Sequence, residues 1–347
     1  MSKAMIFLFA VFAILFVGAI WLLLESPRSV FFKDNLCGDG TLENTCSSNQ
    51  PYFCSNSLLI GRASICGCGG NFTILGDACV SYDILTEPQE ITLKYILRGN
   101  EYEINYTVYK GMAEYLSELP VFINYNGSSA PSRTDFKLRN LNEVEQRQLL
   151  LPLLAEIQNR AHDKEEQARI AISIVQNLDW GFSDKKTVYR GTTLPYSRHP
   201  YEVLYDSEGV CGEKSELLAF LLREIGYGVV IFYNQEENHE SVGIKCPVEE
   251  SWHNSGYCFI ETTGPSIITD NSIEYVGGLK IESKPEILFI SDGDSLSNDM
   301  YEYKDAKTLN EIKETINGDS FFFNPIKFMT FNKLEKKYGL AKEYNAG

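Results

Sequence analysis

Hydrophobic positions are spaced in several ways along the 347-residue chain, and each spacing predicts a different kind of structure. From Ala4 to Leu24, AMIFLFAVFAILFVGAIWLLL, they run unbroken over 21 residues without a charge, long enough to span hydrocarbon as a helix. The run closes on Trp21, Leu22, Leu23 and Leu24 rather than on small residues, which favours an uncleaved anchor over a signal peptide. Residues 31–82 hold few apolar positions among Gly, Asn and Ser, too few to form a core. Ile91 to Tyr109, ITLKYILRGNEYEINYTVY, reads as two strands around an Arg98-Gly99-Asn100 turn. Past the linker-like SSAPSR, Ser128 to Arg133, the pattern turns helical from Leu141. Leu217, Leu218, Leu221, Leu222 and Ile225 recur at helical spacing until Gly226 stops them. Alternation then returns: Val242 and Ile244 lie on one side of the chain, Ser241 and Gly243 on the other, and GYCFIETT reads as the next strand. PEILFISDG predicts a further strand and AKTLNEIKETING a short helix. The order implies an α+β fold divided into an anchor (1–30), a cysteine-rich module (31–82), a β-rich segment (83–135), the main α+β domain (136–290) and a C-terminal extension (291–347).

Cysteines decide which side of the membrane this chain faces. Cys37, Cys46, Cys54, Cys66, Cys68 and Cys79 crowd into 43 residues, an even count in a loop-rich stretch that reads as a disulfide framework of open connectivity. Cys66 and Cys68 are too close to bond to each other. A zinc site is the weaker reading, because the two-residue ligand gap and any histidine are missing from the segment. Cys246 and Cys258 flank the PVEESWHNSGY turn and invite a cross-strand disulfide. Disulfides place the bulk of the chain outside the cytoplasm, on a single-pass anchor in the bilayer, and the triplets at Asn71, Asn105 and Asn126 agree. A formal charge of −16 argues against nucleic-acid binding. The acidic SDGDSLSND, Ser291 to Asp299, lacks the spacing and glycine of a calcium loop.

Chemistry concentrates around EGVCGEKSELLAF. Cys211 lies seven and eleven residues before Leu218 and Leu222, so it shares their inward stripe in the first turn of a helix. Unpaired N–H groups and the helix dipole favour a thiolate there. Glu208 and Glu213 disfavour the anion and Lys214 offsets them in part, so an imidazole partner is required. His162 sits in a charged stretch, His253 in a turn, and His199 in an extended loop before Pro200. His239 stands at the head of a strand, with Glu261 on the strand that follows, and nucleophile, base and orienting acid are thereby arrayed in order.

GVCGEKSELLAFLLREIGYGV, NHESVGI and FIETT, in that order, resemble the transglutaminase-like superfamily, and DKEEQARIAISIVQNLDW is similar to the helix before its nucleophile. The likeness covers residues 163–270. It implies a papain-like core with a nucleophile helix packed on an antiparallel sheet, in a membrane-anchored microbial type. It also implies Cys211 as nucleophile, His239 as general base and acid, and Glu261 in place of the usual aspartate. An oxyanion donor upstream of the cysteine would be Trp180 or Tyr205. The reaction implied is acyl transfer on the amide bonds of a protein or peptide without a cofactor, with hydrolysis ahead of cross-linking and a silent surface-binding module as the rival.

Strand register poses a conflict. If Cys246 faces Cys258, Glu261 faces Gly243, roughly 13 Å from His239. Direct pairing of Glu261 with His239 instead sets Cys246 opposite Asn254. The expectation is the second register, with any disulfide closed through an irregular turn.

Overall fold

The computed structural model describes residues 36–340 and 344, except 128, 190, 277 and 317–324. The expected anchor, Ala4 to Leu24, lies outside the described residues, and no helix among the described residues is long and apolar enough to cross a membrane.

Residues 36–82 are held by three disulfides, Cys37–Cys54, Cys46–Cys66 and Cys68–Cys79. They knit two short hairpins, β1 (Tyr52–Ser55) with β2 (Leu58–Gly61) and β3 (Thr73–Leu75) with β4 (Ala78–Val80), around the single turn α1 (Ala63–Cys66). So few apolar side chains could not hold these loops alone, and the cross-links supply what a core would. The module borrows the rest from its neighbour: Cys37, Cys54 and Leu59 pack with Ala155 of a long helix, and Asn159 of that helix exchanges hydrogen bonds with the Leu59 backbone at 2.8 and 3.0 Å. A Cβ on Gly38 would stand 2.0 Å from the Gln158 carbonyl oxygen, so only glycine allows this main-chain approach.

The hairpin of β5 (Pro88–Leu97) and β6 (Asn100–Tyr109) turns through Arg98 and Gly99, both at positive φ. Its inward residues, Ile91 and Leu93 opposite Tyr106 and Ile104, join the same apolar core as the helices. These are α2 (Lys110–Ser117), α3 (Arg133–Leu141), α4 (Val144–Arg160), α5 (Lys164–Asn177), α6 (Pro200–Asp206) and α7 (Cys211–Ile225). Their starts follow local chemistry: Ser132 and Asp135 cap each other at α3, Glu143 accepts from Gln146 N–H at α4, and Asp163 accepts from Glu166 N–H at α5. Gly226 ends α7 at φ +110°. Between α5 and α6 lies the hairpin of β7 (Lys186–Tyr189) and β8 (Thr192–Pro195).

Four antiparallel strands form the main sheet in the order β11 (Tyr257–Ile260), β10 (His239–Lys245), β9 (Val229–Asn234), β12 (Glu286–Ser291). The fold is therefore α+β with an antiparallel sheet. β9 reads as an unbroken apolar run because both faces are covered: Val229 and Ile231 belong to the core under α7, Val230 and Phe232 to a second cluster with Trp252, Phe259, Ile273 and Tyr275. Helix α8 (Tyr301–Ile316) starts five residues before the stretch expected to be helical, and α9 (Pro325–Tyr338) packs on it through Leu309 and Leu334.

The pairing of β10 with β11 matches neither expected register. Val242 faces Ile260 and Ile244 faces Cys258, which leaves Cys246 bonded through its N–H to the Gly256 carbonyl. The register lies halfway between the two, so both pairs become diagonals. Cys246 and Cys258 meet with Cα atoms 5.7 Å apart and are disulfide-bonded. Glu261, one residue past the end of β11 rather than within it, extends this register to Ser241, two residues from His239. Diagonal neighbours lie within reach of long side chains. The extra methylene of glutamate over aspartate fits that longer span.

Candidate active site

Three elements converge on one buried point. Cys211 is the first residue of α7 and 6% exposed, at the position where first-turn N–H groups lack intrahelical partners. It is also the one cysteine outside a disulfide. His239 opens β10, Glu261 follows β11, and both are fully buried.

His239 Nε2–H donates to Glu261 Oε2 at 2.9 Å. The Tyr275 hydroxyl donates to the same carboxylate oxygen, and its own oxygen lies 3.2 Å from Nε2. The other oxygen, Oε1, accepts from Thr262 N–H at 2.9 Å and from the N–H and hydroxyl of Thr263, both at 2.8 Å. Burial works against ionisation of Glu261, yet His239 and this set of donors outweigh it and hold the carboxyl down at about 2. Burial likewise opposes charging of His239, but the Glu261 carboxylate and the adjoining Cys211 thiol raise the imidazole to about 10. Nδ1 has no aligned hydrogen-bond partner, while the Cys211 thiol lies near enough to act on the ring. With Nε2 committed to Glu261, Nδ1 is the nitrogen left to meet sulfur. Such loose alignment is common before a ligand binds.

Further bonds hold these elements in place. Thr262 Oγ1 donates to the Cys211 carbonyl at 3.4 Å and lies 3.2 Å from Ser215 Oγ. Gln176 of α5 donates to the Glu261 carbonyl at 2.9 Å.

The acidic residues around Cys211 are not free to oppose an anion. Arg198, 3% exposed, pairs with Asp206 at 2.6 Å, Glu208 at 2.5 Å and Glu213 at 3.2 Å. Glu213 also accepts from the Val210 and Arg198 N–H groups. Lys214, whose ammonium donates to the Leu178 carbonyl at 2.9 Å, is buried rather than facing the thiol as a surface charge.

Of the two oxyanion candidates, Trp180 follows Asp179, whose N–H and carbonyl bond to Ser207 and Gly209 on the stretch leading into α7. Its Nε1 is buried without a partner. Tyr205 packs half-buried against the main core. His162 and His253 lie away from the triad, in a bend and a short 3₁₀ turn. His199 is buried and immediately precedes α6. No three His, Cys, Asp or Glu side chains among the described residues are grouped to hold a metal.

Sequence reading missed Tyr275 and Arg198. Tyr275 arrives from an irregular stretch with no periodic signal. The threonine pair after Glu261 was visible in FIETT, and its N–H groups now cap the carboxylate. No protein-family model matches the chain, and no curated protein matches it.

Proposed function

We propose that this chain is a membrane-anchored, extracytoplasmic thiol enzyme with a transglutaminase-like core, acting on amide bonds by peptide hydrolysis. The observation that carries the reading is the buried His239–Glu261 hydrogen bond of 2.9 Å, with the sole free thiol, Cys211, against the same imidazole at a helix start. His239 holds the proton drawn from Cys211 as an imidazolium, and Glu261 stabilises that charge. Sulfur bonds to the carbonyl carbon, and the resulting oxyanion is met by first-turn N–H groups of α7 and the unpartnered Nε1–H of Trp180. The C–N bond breaks as His239 passes its proton to the departing amine, leaving a thioester on Cys211. Water, deprotonated by His239, then attacks the thioester and releases the acid and the free thiol. The same thioester given to a lysine amine would yield cross-linking instead.

Four disulfides support an oxidising location, and the 21-residue apolar run supports tethering there. Iodoacetamide at neutral pH should modify Cys211, and cleavage of fluorescent casein should fall about a hundredfold or more in His239→Ala. Retention of full cleavage in Cys211→Ala would sink the reading, and labelling without any turnover would favour a silent binding module.

A further inference from the structure

A groove of about 740 Å³ runs between residues 121–125 and 130–136 on one side and the β7–β8 hairpin on the other. Its floor starts one residue from the nucleophile: a Cβ on Gly212 would stand 2.6 Å from Glu240 Oε2 and 3.6 Å from Lys137 Nζ, and both side chains line the groove. Its walls are apolar and open. Phe122, Tyr125, Phe136 and Leu194, between 37% and 54% exposed, all face it, and a cluster of this kind marks a binding surface.

The charged side chains in its lining already make contacts of their own. Lys137 bridges Glu216 at 2.7 Å and Glu240 at 2.6 Å, and those carboxylates outweigh its burial and raise its ammonium. Arg139 donates to the Pro120 carbonyl and Asn140, and Arg133 pairs with Glu286 and lies over the Tyr233 ring. A charged side chain of an occupant would have to compete with these contacts, whereas an apolar one would find the walls.

One polar group in the wall remains open. His199, 5% exposed, turns Nδ1 toward Glu202 Oε2 at 3.3 Å, and Tyr196 donates to that same oxygen with its hydroxyl 3.5 Å from Nδ1. Histidine, glutamate and tyrosine here repeat the arrangement of His239, Glu261 and Tyr275, but on the groove side and without a thiol. In the tautomer that donates from Nδ1 to the Glu202 carboxylate, Nε2 is an acceptor. Nε2 takes no hydrogen-bond partner among the described residues, and His199 lines the groove.

We infer that this groove binds an extended polypeptide carrying an aromatic or aliphatic side chain beside the amide presented to Cys211, with His199 as a positioning residue that accepts a main-chain N–H. An acyl chain of a lipid offers no N–H for Nε2, which is why the peptide is favoured. The inference rests on the thiol-enzyme reading and gives it a substrate class.

The test uses peptidyl acrylamides with Leu or Phe, or Asp or Lys, next to the warhead, and compares each with iodoacetamide, which is too small to reach the groove. In the wild type the Leu and Phe probes should inactivate about tenfold faster than the Asp and Lys probes relative to iodoacetamide, the worth of one buried apolar side chain. Leu194→Asp and Phe136→Asp, both at exposed positions, should erase that preference. His199→Ala should raise KI for the Leu probe several-fold with kinact little changed, and His199→Gln, whose Oε1 can still accept, should recover part of the loss. Equal rates for all probes while iodoacetamide still modifies Cys211 would overturn the groove assignment alone. Faster inactivation by an octyl acrylamide without a peptide bond would overturn the peptide assignment, and no reaction of Cys211 with any probe would overturn the enzyme reading and this one together.

Discussion

Glu261 is an acid with no spare capacity: one oxygen takes His239 and Tyr275, the other takes three donors from Thr262 and Thr263. A carboxylate so engaged cannot wander, and a buried imidazole beside it prefers its charged form. The two groups depend on pH in opposite senses. Glu261 is held at about 2 against an ordinary 4.5, so its contribution to stability is present above pH 4.5 and lost as pH falls toward 2. His239 is raised from 6.5 to about 10, so its contribution is full below pH 6.5 and lost as pH rises toward 10. Glu261→Gln removes both. The melting-temperature difference between wild type and Glu261→Gln should therefore peak between pH 4.5 and 6.5 and shrink on either side. A difference that stayed constant from pH 3 to 10 would contradict the buried ion pair. In the same variant the His239 ring, followed by NMR, should titrate well below its wild-type midpoint, and alkylation of Cys211 at neutral pH should slow by about tenfold or more.

Among elements, the β10–β11 pair shows where reading the sequence stopped. Alternation correctly separated the face of Cys246 and Cys258 from that of His239 and Glu261, because period two is local. Register is not local. It depends on how the irregular residues 247–256 close the turn, and no composition rule fixes that path. Both contacts were anticipated as direct pairs that exclude each other, and the chain reconciles them as two diagonals in one register. Helix α7 was legible for the opposite reason: Cys211, its leucines and Gly226 act within a few turns. Because Gln176, Thr262 and Ser215 also hold the Glu261 loop, the disulfide is not the acid's main restraint. Cys246→Ala with Cys258→Ala should cost about 3 kcal/mol of stability, the value for closing a loop of this length. The iodoacetamide rate of Cys211 should change less than threefold, and a collapse of that rate in folded protein would show the disulfide to be what sets the catalytic register.

At the scale of the molecule, the cysteine-rich module was legible as cross-linked from composition alone, but not as docked. Docking rests on contacts made across more than a hundred residues of chain, such as Gln167 donating to the Gly38 carbonyl at 2.7 Å, and a single sequence carries no trace of them. Gly38→Ala forces a Cβ against the main chain of Gln158, where no side chain can yield. About 2 kcal/mol of docking should be lost. Hydrogen exchange should speed up in residues 37–61 and along the exposed face of α4, while α7 and β9 keep their protection. Uniform loss of protection would mean that the module and the core unfold as one unit.

The pairing of all cysteines but one has a practical side. Eight sulfurs are closed in four bridges, so in the native, unreduced protein the thiol count and the nucleophile count are the same number. A colorimetric thiol reagent becomes a stoichiometric meter of competent sites, and a preparation reading half a thiol per chain is half oxidised at the one atom that matters. Reducing agent, added by habit to protect such an enzyme, would blur that meter by opening the very bridges that make it selective.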